Sequence, residues 1–200
     1  CCWDVRKAAP TRVRWQELTR GKDSVRGVLV DAFGNLFFSA GKEVFRSNLV
    51  KEDDLTVFRG GRDAITAFLV IEQNLIAGDK SGHILIWKLS DPNSPRQFRV
   101  VKSNPIYMLK SAVLNGLPHL LIGAKDFGIT AAVVDGDRDI EFRTQEPVRW
   151  VAGASDMVYG VDRSGYRVLC WDVKKPGEVA RTIRVPDTIQ DIYVIKEEAG

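Results

Sequence analysis

Two hundred residues, 44% hydrophobic and 28% charged, have the composition of a soluble globular chain, which excludes fibrous and disordered classes. The 29 basic and 26 acidic residues leave a net charge of +3, spread along the whole length, so no block of one sign is set aside for nucleic acid or lipid. Apolar runs such as Ala67-Phe68-Leu69-Val70-Ile71 stop far short of the ~18 residues that a membrane helix needs.

The chain opens on Cys2-Trp3-Asp4-Val5, which reads as the end of a strand. Ala8-Ala9-Pro10 then turns, and Arg12-Val13-Arg14-Trp15-Gln16-Glu17-Leu18 alternates like an exposed outer strand. Residues 1–18 are therefore the end of a repeating unit. The first complete unit, 24–59, has expected strands near 24–30, 35–40, 42–48 and 55–59, with a tight second hairpin. The second, 64–102, follows Gly60-Gly61-Arg62-Asp63, with strands near 64–71, 74–78, 83–89 and 96–102 and the turn Asp79-Lys80-Ser81-Gly82. The third, 105–144, has strands near 105–111, 118–124, 128–135 and 139–144 and an enlarged first turn at Leu114-Asn115-Gly116-Leu117-Pro118. The fourth, 147–185, has strands near 147–153, 156–161, 166–172 and 179–185, with the turn Asp162-Arg163-Ser164-Gly165. Residues 188–200 begin another unit, Thr188 to Val194 reading as its opening strand.

The period is visible in the residues themselves. Cys2-Trp3-Asp4-Val5 and Cys170-Trp171-Asp172-Val173 lie 168 residues apart, four times 42, with Phe45, Trp87 and Ala132 near that interval between them. A repeat of about 40–45 residues ending in Trp-Asp is the mark of a four-stranded propeller blade. Val25, Ile65, Ile106, Val148 and Ile189 open successive first strands at intervals of 40, 41, 42 and 41. Each has an apolar residue three positions on: Val28, Phe68, Leu109, Val151 and Ile192. An i, i+3 pair breaks the two-residue alternation of a strand, and a bulge near the start of each first strand repairs it.

On these motifs the chain resembles the WD-repeat β-propeller family: Trp3-Asp4 and Trp171-Asp172 end third strands, Trp87-Lys88 takes the same role, and Asp-x-Ser-Gly turns recur at Asp79 and Asp162. It departs from the family in lacking the Gly-His dipeptide before each first strand, where Gly60-Gly61-Arg62 stands instead, and in having Phe45 and Ala132 for tryptophan. The resemblance implies an all-β propeller of four-stranded antiparallel blades. A ring of seven blades needs about 290 residues at this period, so the expectation is a segment of a larger propeller, with flanking blades from the same parent chain; the alternative is a small, incomplete ring completed by joining residues 1–17 with 188–194. Members of the family dock partners on the face that bears the first-strand starts and the turns before third strands. Just after each opener stand Arg26, Thr66, Tyr107, Arg149 and Gln190, with Trp150 beside Arg149. Arg, Tyr and Trp are the types enriched at interface hot spots, so Arg26, Tyr107, Arg149 and Trp150 are the candidate partner-binding residues. Trp3, Asp4, Trp87, Trp171 and Asp172 are the structural repeat residues.

Catalytic signals are lacking. His83 and His119 fall in different units, no Cys or His cluster has metal-ligand spacing, and no catalytic site, metal or cofactor is expected. Asp126-Phe127-Gly128 spells a kinase tripeptide without its companion motifs and is in phase with Lys80-Ser81-Gly82. An odd number of cysteines, with Cys2 and Cys170 at equivalent strand positions, suits free thiols in a reducing compartment, cytoplasm or nucleus. The expected function is a non-catalytic scaffold that holds a peptide or subunit of a larger intracellular complex on its rim. The alternatives are an enzyme or ligand sensor using the central channel, which the small or apolar Gly27, Ala67 and Met108 argue against, and RNA binding through Arg12-Val13-Arg14-Trp15. Neither membrane nor nucleic acid is the expected partner.

Overall fold

Leu75-Ile76-Ala77 and Ile84-Leu85-Ile86-Trp87 are apolar at every position, which calls for strands covered on both faces. Stacked sheets provide that cover. A computed structural model describes residues 2–4, 11–13, 25–48, 55–99, 104–124, 128–133, 139–142 and 147–194 of the chain. A two-stranded antiparallel pair, β1 (Cys2–Asp4) and β2 (Thr11–Val13), is followed by four antiparallel sheets of four strands each. The first sheet comprises β3 (Val25–Val30), β4 (Asn35–Ala40), β5 (Glu43–Asn48) and β6 (Leu55–Phe58). The second comprises β7 (Ile65–Ile71), β8 (Asn74–Asp79), β9 (His83–Lys88) and β10 (Asp91–Arg99). The third comprises β11 (Ile106–Leu114), β12 (Leu117–Ala124), β13 (Ile129–Val133) and β14 (Asp139–Phe142). The fourth comprises β15 (Val148–Ala154), β16 (Met157–Asp162), β17 (Arg167–Asp172) and β18 (Arg181–Arg184). Each sheet is a meander with its strands in chain order. No helix forms among the described residues. The first strands adjoin one another: β7 packs against β3 and β11, and β11 against β15. The arrangement is that of propeller-like blades; among the described residues they do not close into a ring.

Three buried layers join the sheets. Phe37, Val44 and Phe58 meet Leu75, Leu85 and Trp87 between the first and second. Ile76, Ile84 and Ile86 meet Ile106, Leu120 and Ile122 between the second and third. Leu114, Leu121 and Ile129 meet Val151, Val158 and Trp171 between the third and fourth. Alternate residues of β8 and β9 thus enter opposite layers. Burial at about 25 cal/mol per Å² makes this stacking the main source of stability. Trp87 and Trp171 are completely buried. The Trp87 ring meets Phe58 edge to face, centroids 6.1 Å apart, and its Nε1 donates to Arg59 O at 2.8 Å.

The register corrects two expectations. Leu36 pairs with Ser47 as Leu75 pairs with Trp87 and Val158 with Trp171. Ser47, not Phe45, therefore holds the tryptophan position of the first sheet, 40 residues before Trp87 just as Val25 is 40 before Ile65. Phe45 lies two residues earlier on the same face, directly opposite Phe38, and stacks on it at 5.1 Å. The turn at Leu114 to Pro118 is not enlarged. Asn115 and Gly116, at φ of 49° and 78°, form a two-residue turn of the type that matches the twist of a hairpin. The extra length goes into β11 and β12, with Pro118 placed ahead of His119, where β13 begins to pair. The tight second hairpin of the first sheet is present, Gly41-Lys42 between paired Ala40 and Glu43.

Residues 188–194 form no strand; a strand needs a pairing partner, and they have none among the described residues. Even so, Ile189 N donates to Gly165 O at 2.8 Å, as Ile65 N donates to Gly41 O at 2.8 Å. The opener of one unit is thus tied to the turn of the unit before it.

Candidate partner-binding rim

Strand direction alone gathers the first-strand starts, the second-strand ends and the turns before third strands at one end of the sheets. The expected bulge is present in all four first strands, between Arg26 and Val28, Ile65 and Ala67, Ile106 and Met108, and Val148 and Trp150. In three of them the residue left out of the ladder is Thr66, Tyr107 or Arg149. A bulge re-aims the side chain it carries, so these three occupy equivalent rim positions. The first sheet differs. Its extra residue is Gly27, at φ 67°, and a Cβ there would sit 2.8 Å from Phe68 Cε1. Arg26 instead pairs with Ser39 in the ladder, and its carbonyl accepts from Ser39 Oγ.

The equivalent positions do different work. Thr66 Oγ1 lies 3.1 Å from Gly78 O and also bonds Ile106 O, stitching the second sheet to the third. Tyr107 is half-buried and packs on the layer between the third and fourth sheets. Arg149 is exposed. Its NH1 lies over the next turn, 3.7 Å from where a Cβ on Gly165 would stand. Trp150 packs half-buried on the same layer as Tyr107, with its Nε1 buried and lacking a hydrogen-bond partner among the described residues. Gln190 is exposed, its amide 3.3 Å from Thr188 Oγ1. The rim therefore brings Tyr107, Arg149 and Trp150 to neighbouring first strands and leaves Arg26 at the far end of the row.

Two buried carboxylates shape the turns on this face. Asp79 Oδ1 accepts from Ser81 N at 2.9 Å, Ser81 Oγ at 3.0 Å and His83 N at 2.8 Å. His83 Nδ1 lies 3.0 Å from Ser81 Oγ and 3.5 Å from Asp79 Oδ2. Asp162 makes the same clamp with an arginine for the histidine. Its Oδ1 accepts from Gly165 N and Arg167 N at 3.1 Å, and its Oδ2 from Arg167 Nε at 2.8 Å and Arg167 NH2 at 2.7 Å. Burial alone pushes the Asp162 carboxyl up, but the Ser164 hydroxyl and Arg167 outweigh it and hold it below the usual carboxylate range. Asp172, of the Trp-Asp pair, serves a local turn, accepting from Lys174 N at 2.8 Å. The side chains of Trp3 and Asp4, and Asp126 and Phe127 of the kinase-like tripeptide, lie outside the described residues.

No family model and no curated protein matches the chain. The fold, however, has counterparts among solved structures. The computationally designed Ika8 protein matches with a TM-score of 0.68 at 16% identity, over 87% of this chain and 53% of that one. Raptor from Chaetomium thermophilum matches with a TM-score of 0.66 at 14% identity, over 85% of this chain and 16% of that one. The chain thus spans about half the length of the first and about a sixth of the second. Identity this low makes the likeness one of fold, compatible with a propeller-like arrangement of the four sheets.

Sequence reasoning missed the cleft beside Arg149. Ser164, Tyr166, Arg167, Arg184 and Val185 line a hollow of about 300 Å³. Gly165-Tyr166-Arg167 has one residue more than Gly82-His83, and that insertion was the signal that this turn is built differently. A larger cleft of about 580 Å³ lies at the other end of the first two sheets, lined by Asp31, Phe33, Arg46, Glu72 and Leu89 among others. Phe33 is 82% exposed at its mouth. Among the described residues, no group of three or more His, Cys, Asp or Glu could hold a metal ion, and no helix is long and apolar enough to cross a membrane.

Proposed function

We propose that the chain forms part of a WD-repeat-like propeller that acts as a non-catalytic scaffold, holding a peptide or subunit of an intracellular assembly on the rim marked by Tyr107, Arg149 and Trp150. The observation that carries this reading is the bulge repeated in four consecutive first strands. It turns one residue of each of the second, third and fourth sheets out of the ladder at the same end of the stack. Rigid scaffolds place binding residues on such rims, and Arg, Tyr and Trp supply hot-spot energy when a partner desolvates them. The exposed apolar side chains of β3, Val25 at 52%, Val28 at 66% and Val30 at 55%, support a further blade packing against the first sheet.

Affinity capture with the whole protein tests the reading. Arg149→Glu is expected to release a partner that the wild type retains, whereas Phe33→Ala, at the other end of the sheets, is expected to retain it. Saturable turnover of a substrate by the purified protein, together with a full set of partners on Arg149→Glu, would remove the scaffold reading in favour of the channel enzyme.

A further inference from the structure

The cleft on the fourth sheet holds an unbalanced pair of arginines. Arg167 and Arg184 stand directly opposite each other on β17 and β18, where like charges destabilise a sheet. Arg167 is neutralised, its guanidinium bonded through two nitrogens to Asp162. That carboxylate has no capacity for a second cation, since Ser164 Oγ, two backbone N–H groups and Arg167 already occupy both of its oxygens. Arg184 is exposed, and among the described residues no acid pairs with it. The lining residues Ser164, Tyr166, Arg167, Arg184 and Val185 include two arginines and no acid. Arg149 adds a third guanidinium from the first strand of the same sheet, lying over Gly165. Tyr166, 46% exposed, and the half-buried Val185 give the cleft an apolar wall.

Guanidinium groups present paired donors that match a carboxylate, and they shed water more readily than an ammonium group. A concave site with surplus guanidinium charge beside an exposed aromatic ring is complementary to an extended chain bearing carboxylates. We infer that this cleft binds an acidic peptide segment of a protein partner, with Glu or Asp side chains paired to Arg184 and Arg149 and the chain lying across Tyr166. The inference rests on the reading of this rim as a docking face and specifies what docks there.

The test is fluorescence anisotropy of labelled decaglutamate titrated with the whole protein. Saturable binding that weakens as salt is raised is expected. Arg184→Glu and Arg149→Glu should each weaken it by about tenfold or more. Arg181→Glu, on the same exposed strand but outside the cleft, should change it by no more than about twofold; it controls for net charge, and the melting curve of each variant controls for folding. Three results would overturn the inference: no saturable binding, equal losses in Arg181→Glu and Arg184→Glu, or decauridylate binding more tightly than decaglutamate with the same dependence on Arg184. Failure of decaglutamate to bind while Arg149→Glu still releases captured partners would dispose of the acidic-peptide assignment and leave the rim as a docking face.

Discussion

Replacing Gly78 with alanine puts the stacking of the second and third sheets to a quantitative test. A Cβ on Gly78 would stand 2.4 Å from Ile106 Cγ2 and 2.7 Å from Ile106 Cβ, against an ordinary contact of 3.4–4 Å. The shortfall to Cγ2 is 3.4 minus 2.4, or 1.0 Å. Little can yield. Ile106 is completely buried, its Cβ hangs directly on the backbone, and its carbonyl is held by Thr66 Oγ1. Overpacking of this kind costs about 1–3 kcal/mol, and the rigid neighbour places Gly78→Ala in the upper half of that range. Ile106→Ala, which removes Cγ1, Cγ2 and Cδ1, costs about 2–5 kcal/mol by itself through lost burial and a cavity. Urea unfolding of the two single variants and the double variant measures the coupling. The double variant should be less destabilised than the sum by about 1–2 kcal/mol. Gly177→Ala, with nothing within 4 Å of the added carbon, is the control and should stay within about 0.5 kcal/mol of wild type. A neutral Gly78→Ala, or strict additivity with Ile106→Ala, would mean that the second and third sheets do not meet at this contact.

Trp171→Ala should cost about 3–5 kcal/mol, because the ring is completely buried between the third and fourth sheets; an unshifted urea midpoint would contradict that placement. Asp162 contributes a dependence on acid. Its folded-state pKa is lowered, so its stabilisation is present above the unfolded value of about 3.9 and is lost as pH falls through the lower folded value. In thermal melts from neutral to acidic pH, Asp162→Asn should therefore flatten the acid limb, and an unchanged limb would show that the clamp carries none of it. Burial pushes the Cys170 thiol up despite the nearby Arg181, so iodoacetamide should label Cys170 only after unfolding. Rapid labelling of the native chain at Cys170 would contradict its burial.

The first strands were the most legible part of the fold. Val25, Ile65, Ile106 and Val148, each followed by an apolar residue three positions on, implied the bulges, and the register contains all four. That inference worked because a bulge is a local departure from alternation, written in a few consecutive residues. Phe45 was misread for the opposite reason. Counting 42 residues back from Trp87 lands on Phe45, whereas the first two units lie only 40 apart, as Val25 and Ile65 do, because the Gly41-Lys42 turn is short; Ser47 therefore faces Leu36. The Asn115-Gly116 pair did carry a sufficient signal, since both residues accept positive φ; the larger spread of turn-forming residues around it obscured the point. The clefts were beyond reach because each joins segments whose proximity depends on pairing. Arg184 meets Arg167 only once β18 is laid on β17, and Arg149 reaches Gly165 only once β15 is paired with β16, Val148 opposite Asp162. Arg149 itself could be found, since the bulge position is fixed by the repeat. Its partners in the cleft could not.

Hydrogen exchange of the whole protein with and without a captured partner locates the docking surface. Slowed exchange should concentrate at the rim, in residues 106–108, 148–151 and 163–167, with the turns at 31–34 and 72–73 unchanged. Protection confined to those turns, beside the cleft lined by Phe33 and Arg46, would place the docking surface at the other end of the sheets and refute a docking role for Tyr107, Arg149 and Trp150.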